Sequence, residues 1–356
     1  MICLEQIIQN GKEGLIMLGV GIIGCGTITR LRHAPEYARN ADCRLIALAD
    51  TVPGRAAQLA ALYGAQACED YHELLERSDI DAVSVCTANQ THAVLACEAM
   101  RAGKHVLCEK PVALTDDDAA MLCAVSRETG RLLVPAFNQR LFPASRRARE
   151  ILQSGRMGRI ISFTSTFRHA GPETWSVDSG KGCWFFKKSA GSGVLSDLAV
   201  HKLDLMNLLL GEPITELAAE LSTLDKRDET GAPIEVCDNA VLLCRTKSGV
   251  QGVIIASWSD YGAEENGATL YCEKGRLLVN PSPDEDIVIE MRNGEREVQR
   301  LGGVPTNDAQ KPSGVIDAFV AAALGKAAPA ATAEDGLNNV RAMNAALRAP
   351  VVYRRI

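Results

Sequence analysis

The sequence lacks any long apolar run, any excess of basic residues and any pair of cysteines in C-x-x-C spacing. No apolar stretch approaches the roughly 20 residues of a membrane-spanning helix, so we expect no membrane segment. The net charge of -6 argues against a nucleic-acid partner, which usually needs a basic face. In the first 17 residues polar side chains interrupt the apolar positions and there is no basic segment, so we expect no secretory signal.

The sequence contains twelve cysteines, and several lie inside apolar stretches. Cys86 in "DAVSVCT" and Cys108 in "HVLCE" are examples, and the pattern predicts free thiols that pack as small apolar side chains. Free thiols suit a reducing cytoplasm better than a disulfide framework does, so we expect a cytoplasmic protein. No spacing of potential ligands is typical of a zinc site, and we expect no metal.

The length of 356 residues suits two domains better than one. Between residues 18 and 138, short apolar strands alternate with amphipathic helical patterns, which predicts an α/β Rossmann domain with a doubly wound parallel sheet. From 139 to 330 most segments are strands separated by turn residues, with one helical pattern, "VLSDLAVHKLDLMNLLLG", before most of them. This pattern favours an α+β substrate-binding and oligomerisation domain with a large, mostly antiparallel open sheet.

The two ends of the chain are predicted to lie outside these domains. Residues 1–17 are expected to form a leader, either a disordered extension before a natural start at Met17 or a native arm. Residues 331–356 contain a helical pattern followed by a short tail. We expect this C-terminal helix to pack back towards the Rossmann domain.

A dinucleotide-binding pattern follows the first predicted strand. In Gly24-x-Gly26-x-x-Thr29, Gly24 can make the tight turn, and Gly26 leaves room for a pyrophosphate at a helix N-terminus. Thr29 departs from the usual glycine or alanine. Asp50 ends the second strand, where its carboxylate can accept hydrogen bonds from a ribose. This favours NAD over NADP. Arg55, five residues further on, leaves NADP as an open alternative.

Three further residues have the chemistry that alcohol oxidation needs. Lys110 follows an apolar strand in "HVLCEKP", and Asp197 and His201 are four residues apart, on one face of a predicted helix. We assign His201 as general base, because its ordinary pKa is near neutrality, and Lys110 as a polarising or proton-relay group. Asp197 would bind substrate or orient the histidine. An exchange of the roles of His201 and Lys110 is an open alternative.

Four motifs in this order resemble those of the glucose–fructose oxidoreductase, inositol dehydrogenase and rhizopine-catabolism (Gfo/Idh/MocA) family. They are the turn at 24–26, Asp50, "EKP" at 109–111 after "AGKHVLC", and "GSGVLSDLAVHKLD" at 191–204. The resemblance implies a Rossmann domain followed by an open, largely antiparallel sheet. It also implies hydride transfer between a sugar, inositol or polyol hydroxyl carbon and NAD(P), and a homodimer or homotetramer formed through the sheet.

The resemblance assigns the catalytic roles to Lys110, Asp197 and His201. The family's Thr-Pro-Asn loop corresponds to Thr87-Ala88-Asn89, so its proline is missing. The implied cofactor-binding residues are Gly24, Gly26, Thr27, Ile28, Asp50, Thr87, Asn89, His92, Glu109, Lys110 and Asn138.

Trp184 lies in a glycine-rich segment, 180–193, that runs into the Asp197 helix, so its ring is expected to face a sugar. The predicted substrate-binding residues are therefore Lys110, Trp184, Asp197 and His201. Lys187, Lys188 and Tyr261 are weaker candidates for the cleft, and an aromatic core patch with solvated lysines is the simpler alternative. The remaining histidines, His33, His72, His105 and His169, are interpreted as structural or surface residues.

Two other functions fit the same residues. A glycoside hydrolase that oxidises its substrate transiently on bound NAD, and then eliminates, would begin with the same hydride transfer, but it would form no net NADH. A non-catalytic NAD-sensing regulator would not need Lys110, Asp197 and His201, so the presence of all three argues against it. The leading prediction is an NAD-dependent dehydrogenase, with NADP the less favoured cofactor and a small sugar or polyol as substrate.

Overall fold

A computed structural model describes residues 17–177, 179–303, 312–348 and 351 of the chain. The predicted leader lies outside this part except for Met17. The predicted domain boundaries at 138 and 330 stay predictions.

The N-terminal half contains a six-stranded sheet in the order β3-β2-β1-β4-β5-β6, with every neighbouring pair parallel. The strands are β1 (Leu18–Ile23), β2 (Cys43–Ala49), β3 (Gln66–Cys68), β4 (Ala82–Val85), β5 (His105–Cys108) and β6 (Leu133–Pro135). This confirms the predicted doubly wound parallel sheet. The strand order reverses between β1 and β4, and ligands bind at the carboxyl ends of strands beside such a reversal.

Helices connect these strands on both faces of the sheet. They are α1 (Ala34–Arg39), α2 (Arg55–Tyr63), α3 (Tyr71–Leu75), α4 (His92–Arg101) and α5 (Asp116–Thr129), with α6 (Pro143–Gln153) after β6. Thr115 caps α5, as its sequence predicts, because its hydroxyl accepts a hydrogen bond from the backbone N–H of Asp118 at 3.1 Å. A π-helical turn, Thr29–His33, precedes α1, and the Thr29 hydroxyl donates to the Gly24 carbonyl at 2.6 Å.

The second sheet has eight strands in the order β14-β13-β12-β11-β7-β10-β9-β8, and only β7 and β10 pair in parallel. The strands are β7 (Ile160–Arg168), β8 (Ile214–Ser222), β9 (Asn239–Thr246), β10 (Gln251–Ser257), β11 (Glu265–Cys272), β12 (Gly275–Ser282), β13 (Glu285–Met291) and β14 (Arg296–Gln299). Buried and exposed residues alternate along β9, so one face of the sheet packs on the core and the other is exposed. This confirms the predicted mostly antiparallel sheet.

Three further helices complete the described chain: α7 (Val200–Leu210), α8 (Val315–Ala323) and α9 (Ala333–Arg348). A π-helical turn, Leu195–Ala199, leads into α7, which packs on β7 and α6. Short 3-10 turns occur at Asn89–Thr91, Asn138–Leu141, Pro172–Thr174, Trp184–Phe186 and Lys188–Ala190.

The two sheets share one apolar core. Val83 and Val106 of the parallel sheet belong to the same buried cluster as Phe163 and Leu277 of the second sheet. A separate cluster fills the other face of the parallel sheet, where Phe319 of α8 joins residues of β1 and β2. The chain therefore returns to the first domain after it has built the second one.

A buried ion-pair network connects α7 to the turn after β6 and to the C-terminal helix α9. The Arg140 guanidinium donates to both carboxylate oxygens of Asp204 at 2.7 and 2.6 Å, and it also contacts Asp335 of α9 at 3.1 Å. Burial raises the pKa of Asp204 to about 6 even though Arg140 opposes that shift.

We expect Arg140→Met to destabilise the protein strongly, because it leaves the buried Asp204 carboxylate without its counter-charge. Breaking such a pair typically costs about 3–5 kcal/mol. Since Asp204 becomes neutral once protonated, the loss should be larger at pH 8 than at pH 5. Urea and thermal unfolding at both pH values measure the loss.

Arg127→Met is the matched control, because Arg127 pairs with Glu334 between side chains that are 67% and 58% exposed. The control should shift the unfolding midpoint little. Equal shifts for the two variants would contradict a structural role of the buried network.

Candidate active site

A cleft of about 940 Å³ lies between the carboxyl ends of the parallel strands and the second domain. Every residue that the sequence predicted to bind cofactor or substrate lines this one cleft, apart from the weaker candidates Lys187, Lys188 and Tyr261. The structure therefore brings the predicted site together, while the role of each residue stays a prediction.

The glycine turn fits a dinucleotide. Gly24 has a φ of +96°, and a Cβ on it would lie 2.5 Å from the Cys86 carbonyl oxygen, so a larger residue is excluded. A Cβ on Gly26 would meet no atom within 4 Å, which leaves open space in front of the helix N-terminus for a phosphate group. The geometry thus provides the close backbone approach that a pyrophosphate needs.

Asp50 closes the far side of this turn. Its carboxylate accepts hydrogen bonds from the backbone N–H groups of Cys25 at 2.7 Å and Val52 at 2.8 Å. Arg55 is 3.8 Å from the same carboxylate. Asp50 is therefore fixed at the carboxyl end of β2, beside the glycine turn.

Two acidic residues beside Asp50 were missed by the sequence analysis. Ala49 of β2 is paired with Cys68 of β3, so the residues that follow, Asp50 and Glu69, emerge side by side. Glu69 and Asp70 both line the cleft. Both strands were recognised from the sequence, but their pairing and register were not, and the register reveals this proximity.

Lys110 and Asp197 form an ion pair across the two domains. The Lys110 Nζ donates to the Asp197 carboxylate and to the Asp197 backbone carbonyl, both at 2.9 Å. The other carboxylate oxygen accepts a hydrogen bond from the Trp258 indole N–H at 3.1 Å. Asp197 therefore holds the lysine, and no hydrogen bond to His201 is seen among the described atoms.

His201 lies in the same part of the cleft with 8% of its surface exposed. Burial, together with the charges of Lys110, Arg32 and Lys202, lowers its pKa well below the usual value. The ring is consequently neutral at neutral pH. Within the described residues its buried Nδ1 has no hydrogen-bond partner.

A buried hydrogen-bond chain supports the residue before Lys110. Glu109 accepts from His33 Nε2 at 2.9 Å, and His33 Nδ1 lies 3.1 Å from the Ser84 hydroxyl, which in turn contacts the Tyr37 hydroxyl at 2.8 Å. Burial opposes ionisation of Glu109, but the His33 bond and the nearby Lys110 charge keep its pKa at about 2. His33 thus has a structural position, as predicted, directly behind the site.

His92 ties two loops of the cleft together. Its Nδ1 lies 2.7 Å from the Pro111 carbonyl and its Nε2 lies 3.0 Å from the Thr87 carbonyl. Both ring nitrogens therefore face backbone oxygens. Burial lowers the pKa of this histidine, and the ring connects the loop after β4 to the segment that carries Lys110.

The two predicted asparagines have different surroundings. Asn89 donates to the Ala190 carbonyl of the second domain at 2.9 Å. Asn138 is buried in the cleft, and its side-chain oxygen has no hydrogen-bond partner among the described residues. A contact of this side chain with the cofactor stays a prediction.

An aromatic strap, formed by residues 171–177 and 179–191 of the second domain, borders the cleft. The Trp184 and Phe185 rings stack with their centroids 3.9 Å apart, and both line the cleft, as does Trp175. The Thr27 hydroxyl donates to the Trp175 carbonyl at 3.4 Å, which links the strap to the glycine turn. Trp184 therefore lines the cleft, and its contact with a substrate stays a prediction.

The weaker candidates do not line the cleft. Lys187 and Lys188 are exposed, and Tyr261 is 66% exposed and bonded to Lys226. His169, which the sequence analysis set aside, does line it.

None of the described helices is both long and apolar enough to cross a bilayer. The described residues also contain no group of three or more potential metal ligands.

The comparisons with known proteins cover both domains. A family model described as "Oxidoreductase family, NAD-binding Rossmann fold" matches residues 18–137, and the "GFO/IDH/MocA C-terminal domain" matches residues 145–278. The chain is 29% identical to an inositol 2-dehydrogenase of Rhizobium meliloti, over 94% of this chain and 98% of the relative.

Two further relatives extend the likeness. The chain is 31% identical to a dTDP-3,4-didehydro-2,6-dideoxy-alpha-D-glucose 3-reductase of Actinomadura kijaniata, over 92% of this chain and 93% of the relative. The solved structure of a levoglucosan dehydrogenase in complex with NADH and levoglucosan superposes with a TM-score of 0.80 at 26% identity, covering 93% of this chain and 96% of that one.

These likenesses confirm the resemblance drawn from the motifs and the prediction of a nicotinamide-dependent oxidoreductase. The motifs that carried the resemblance meet in the cleft, which is lined by the glycine turn, the Lys110–Asp197 pair and His201. The chain belongs to the Gfo/Idh/MocA family of oxidoreductases.

Proposed function

We propose that this oxidoreductase transfers a hydride between a CH–OH carbon of a sugar, inositol or related polyol and NAD, with Lys110, Asp197 and His201 around the reacting oxygen. The observation that supports it best is the Lys110 ammonium, held by Asp197 in the same cleft as the glycine turn. The relatives, named for inositol, levoglucosan and a dTDP-sugar, support the substrate class.

Lys110 is suited to bind the reacting oxygen. An ammonium has three N–H donors, and two of them are used by the Asp197 carboxylate and carbonyl. The third is left for a substrate oxygen. As the hydroxyl loses its proton, the positive charge stabilises the alkoxide that develops there. The ion pair with Asp197 favours this donor role over that of a proton acceptor.

His201 is suited to take the proton. Its ring is neutral at neutral pH, so a ring nitrogen has a lone pair to accept the hydroxyl proton. The O–H proton goes to His201, the C–H electron pair leaves as hydride, and the C–O bond becomes C=O. Bound NAD supplies the hydride acceptor. For reduction, protonated His201 returns the proton to the oxygen.

The proposed preference for NAD over NADP rests on charge at the ribose end. Asp50, Glu69 and Asp70 line this end of the cleft, and Arg55 already lies 3.8 Å from Asp50. Three carboxylates repel the additional phosphate of NADP, whereas the ribose hydroxyls of NAD can donate hydrogen bonds to them.

We also propose that the protein forms homodimers or homotetramers through the outer face of the second sheet. Leu243 is 50% exposed and Val241 is 38% exposed on β9, and their partners on β10 are Val253 and Ile255. Adjacent exposed apolar residues on a sheet are typical of a protein interface.

The described cysteines are all free thiols, which supports the proposal of a cytoplasmic location.

The substrate class is tested by NADH formation with myo-inositol, levoglucosan and D-glucose, with NAD and NADP in parallel. We expect Lys110→Ala to lower kcat/KM by roughly 10²- to 10⁴-fold, because the alkoxide loses its counter-charge. Its affinity for NADH, measured by fluorescence titration, should stay within about threefold.

Lys187→Ala, an exposed lysine of the aromatic strap, is the matched control and should retain full activity. An active Lys110→Ala enzyme would contradict the catalytic role assigned to this residue. Glycoside cleavage without net NADH formation would instead favour the NAD-dependent hydrolase.

We expect Glu69→Gln to lower the ratio of kcat/KM for NAD to that for NADP severalfold, because it removes one carboxylate and leaves the backbone bonds of Asp50 intact. Asp50→Asn should lower it further. The control is Glu150→Gln, whose side chain is 64% exposed on α6, outside the cleft. An unchanged ratio in both cleft variants would refute the electrostatic selection of the cofactor.

We expect Leu243→Glu to reduce the assembly to monomers of 38.2 kDa, because a charge on the apolar face cannot be buried against a second copy. Light scattering after size-exclusion chromatography measures the mass. Leu62→Glu, at a 75% exposed position on α2, should leave it unchanged. A monomeric wild-type protein at micromolar concentration would rule out the proposed interface.

A further inference from the structure

His169 follows β7 directly and lines the cleft with 7% of its surface exposed. Phe167 packs against it edge-on, with ring centroids 5.7 Å apart and the planes at 78°. Phe167 also packs against the His201 ring, with centroids 6.1 Å apart, so His169 and His201 share one aromatic neighbour in the cleft. The proposed mechanism gives this histidine no role.

The backbone fixes the position of the proton on this ring. The backbone N–H of Gly171 donates a hydrogen bond to His169 Nδ1 at 2.9 Å. Because a backbone N–H only donates, Nδ1 must accept with its lone pair, and the single proton of the neutral ring is on Nε2. His169 therefore presents an N–H donor from the other nitrogen of the ring.

The surroundings keep the ring neutral. Burial lowers the pKa of His169, and the four charged groups that act on it form two pairs. Lys110 pairs with Asp197, and Lys226 pairs with Glu173. Since each pair is compensated, neither one supplies a net charge that would protonate the ring.

We propose that His169 is a further substrate-binding residue, which donates its Nε2–H to a hydroxyl oxygen of the bound polyol. The proposal rests on the proposed function, because it needs a polyol in the cleft. Lys110 and His169 would then donate to two different oxygens, while His201 accepts the proton. A fixed donor selects substrates that have an oxygen in front of it and rejects their deoxy analogues.

Two substitutions separate this role from a merely structural one. The amide of glutamine reaches the position of Nε2, whereas the amide of asparagine reaches that of Nδ1. His169→Gln therefore keeps a donor at the position of Nε2 and loses the acceptor for Gly171. His169→Asn keeps the acceptor for Gly171 and loses the donor.

The test is steady-state oxidation of whichever of myo-inositol, levoglucosan and D-glucose gives wild type its highest kcat/KM. We expect His169→Asn to lower kcat/KM roughly 10- to 100-fold, mainly through KM, because a substrate hydroxyl loses its partner. His169→Gln should stay within about fivefold of wild type. The pH profile of kcat should be the same for all three proteins.

A second readout needs no turnover. Long-range ¹H–¹⁵N correlation spectra of the ¹⁵N-histidine-labelled protein with NADH should show a neutral Nε2–H ring for His169, identified by its loss in His169→Gln. This signal reads the tautomer even if no polyol of the panel is oxidised, a result that would instead contradict the proposed function.

Three results would overturn the proposal. An Nδ1–H ring would remove the donor. If His169→Asn kept its activity and His169→Gln lost it, the ring would serve only to accept the hydrogen bond from Gly171. A shifted pH profile of kcat in His169→Gln would make the ring a proton-transfer group.

Discussion

The site depends on one buried ion pair, between Lys110 at the end of β5 and Asp197 in the π-helical turn before α7. Burying two charges costs free energy unless their remaining hydrogen-bonding atoms are satisfied. Here the Trp258 indole and the Asp197 carbonyl complete the arrangement. Because its partners come from both domains, the pair forms only when the two are correctly docked, which couples the folding of the whole chain to the assembly of the cleft.

Much of the fold was predictable because its signals are local. Alternating strands and helices, the glycine turn before α1 and the Thr115 cap are each encoded within a few residues. The predicted site residues were found because Lys110 and the Asp197–His201 spacing occur in recognisable motifs. Their meeting across 87 positions of sequence was not derivable from spacing alone and came from the family resemblance.

The missed residues have no local signal. Trp258 lies in an ordinary strand end, and nothing in "SWSD" distinguishes a core tryptophan from one that bonds a carboxylate. Glu69 becomes relevant only through the pairing of β2 with β3. His169 differs from a satisfied core histidine only by its place in the cleft and by the Gly171 bond. In each case a contact between distant segments decides the role.

The return of α8 to the first domain has a consequence for how the protein can be divided. Phe319 and its neighbours cover apolar residues of β1 and β2 on the face of the parallel sheet away from the shared core. The nucleotide-binding half is thus continuous in space and discontinuous in sequence. A fragment cut after β6 would lack its own covering helix, so the natural unit for dissection or transplantation joins residues 18–138 to the segment from Ser313 onward.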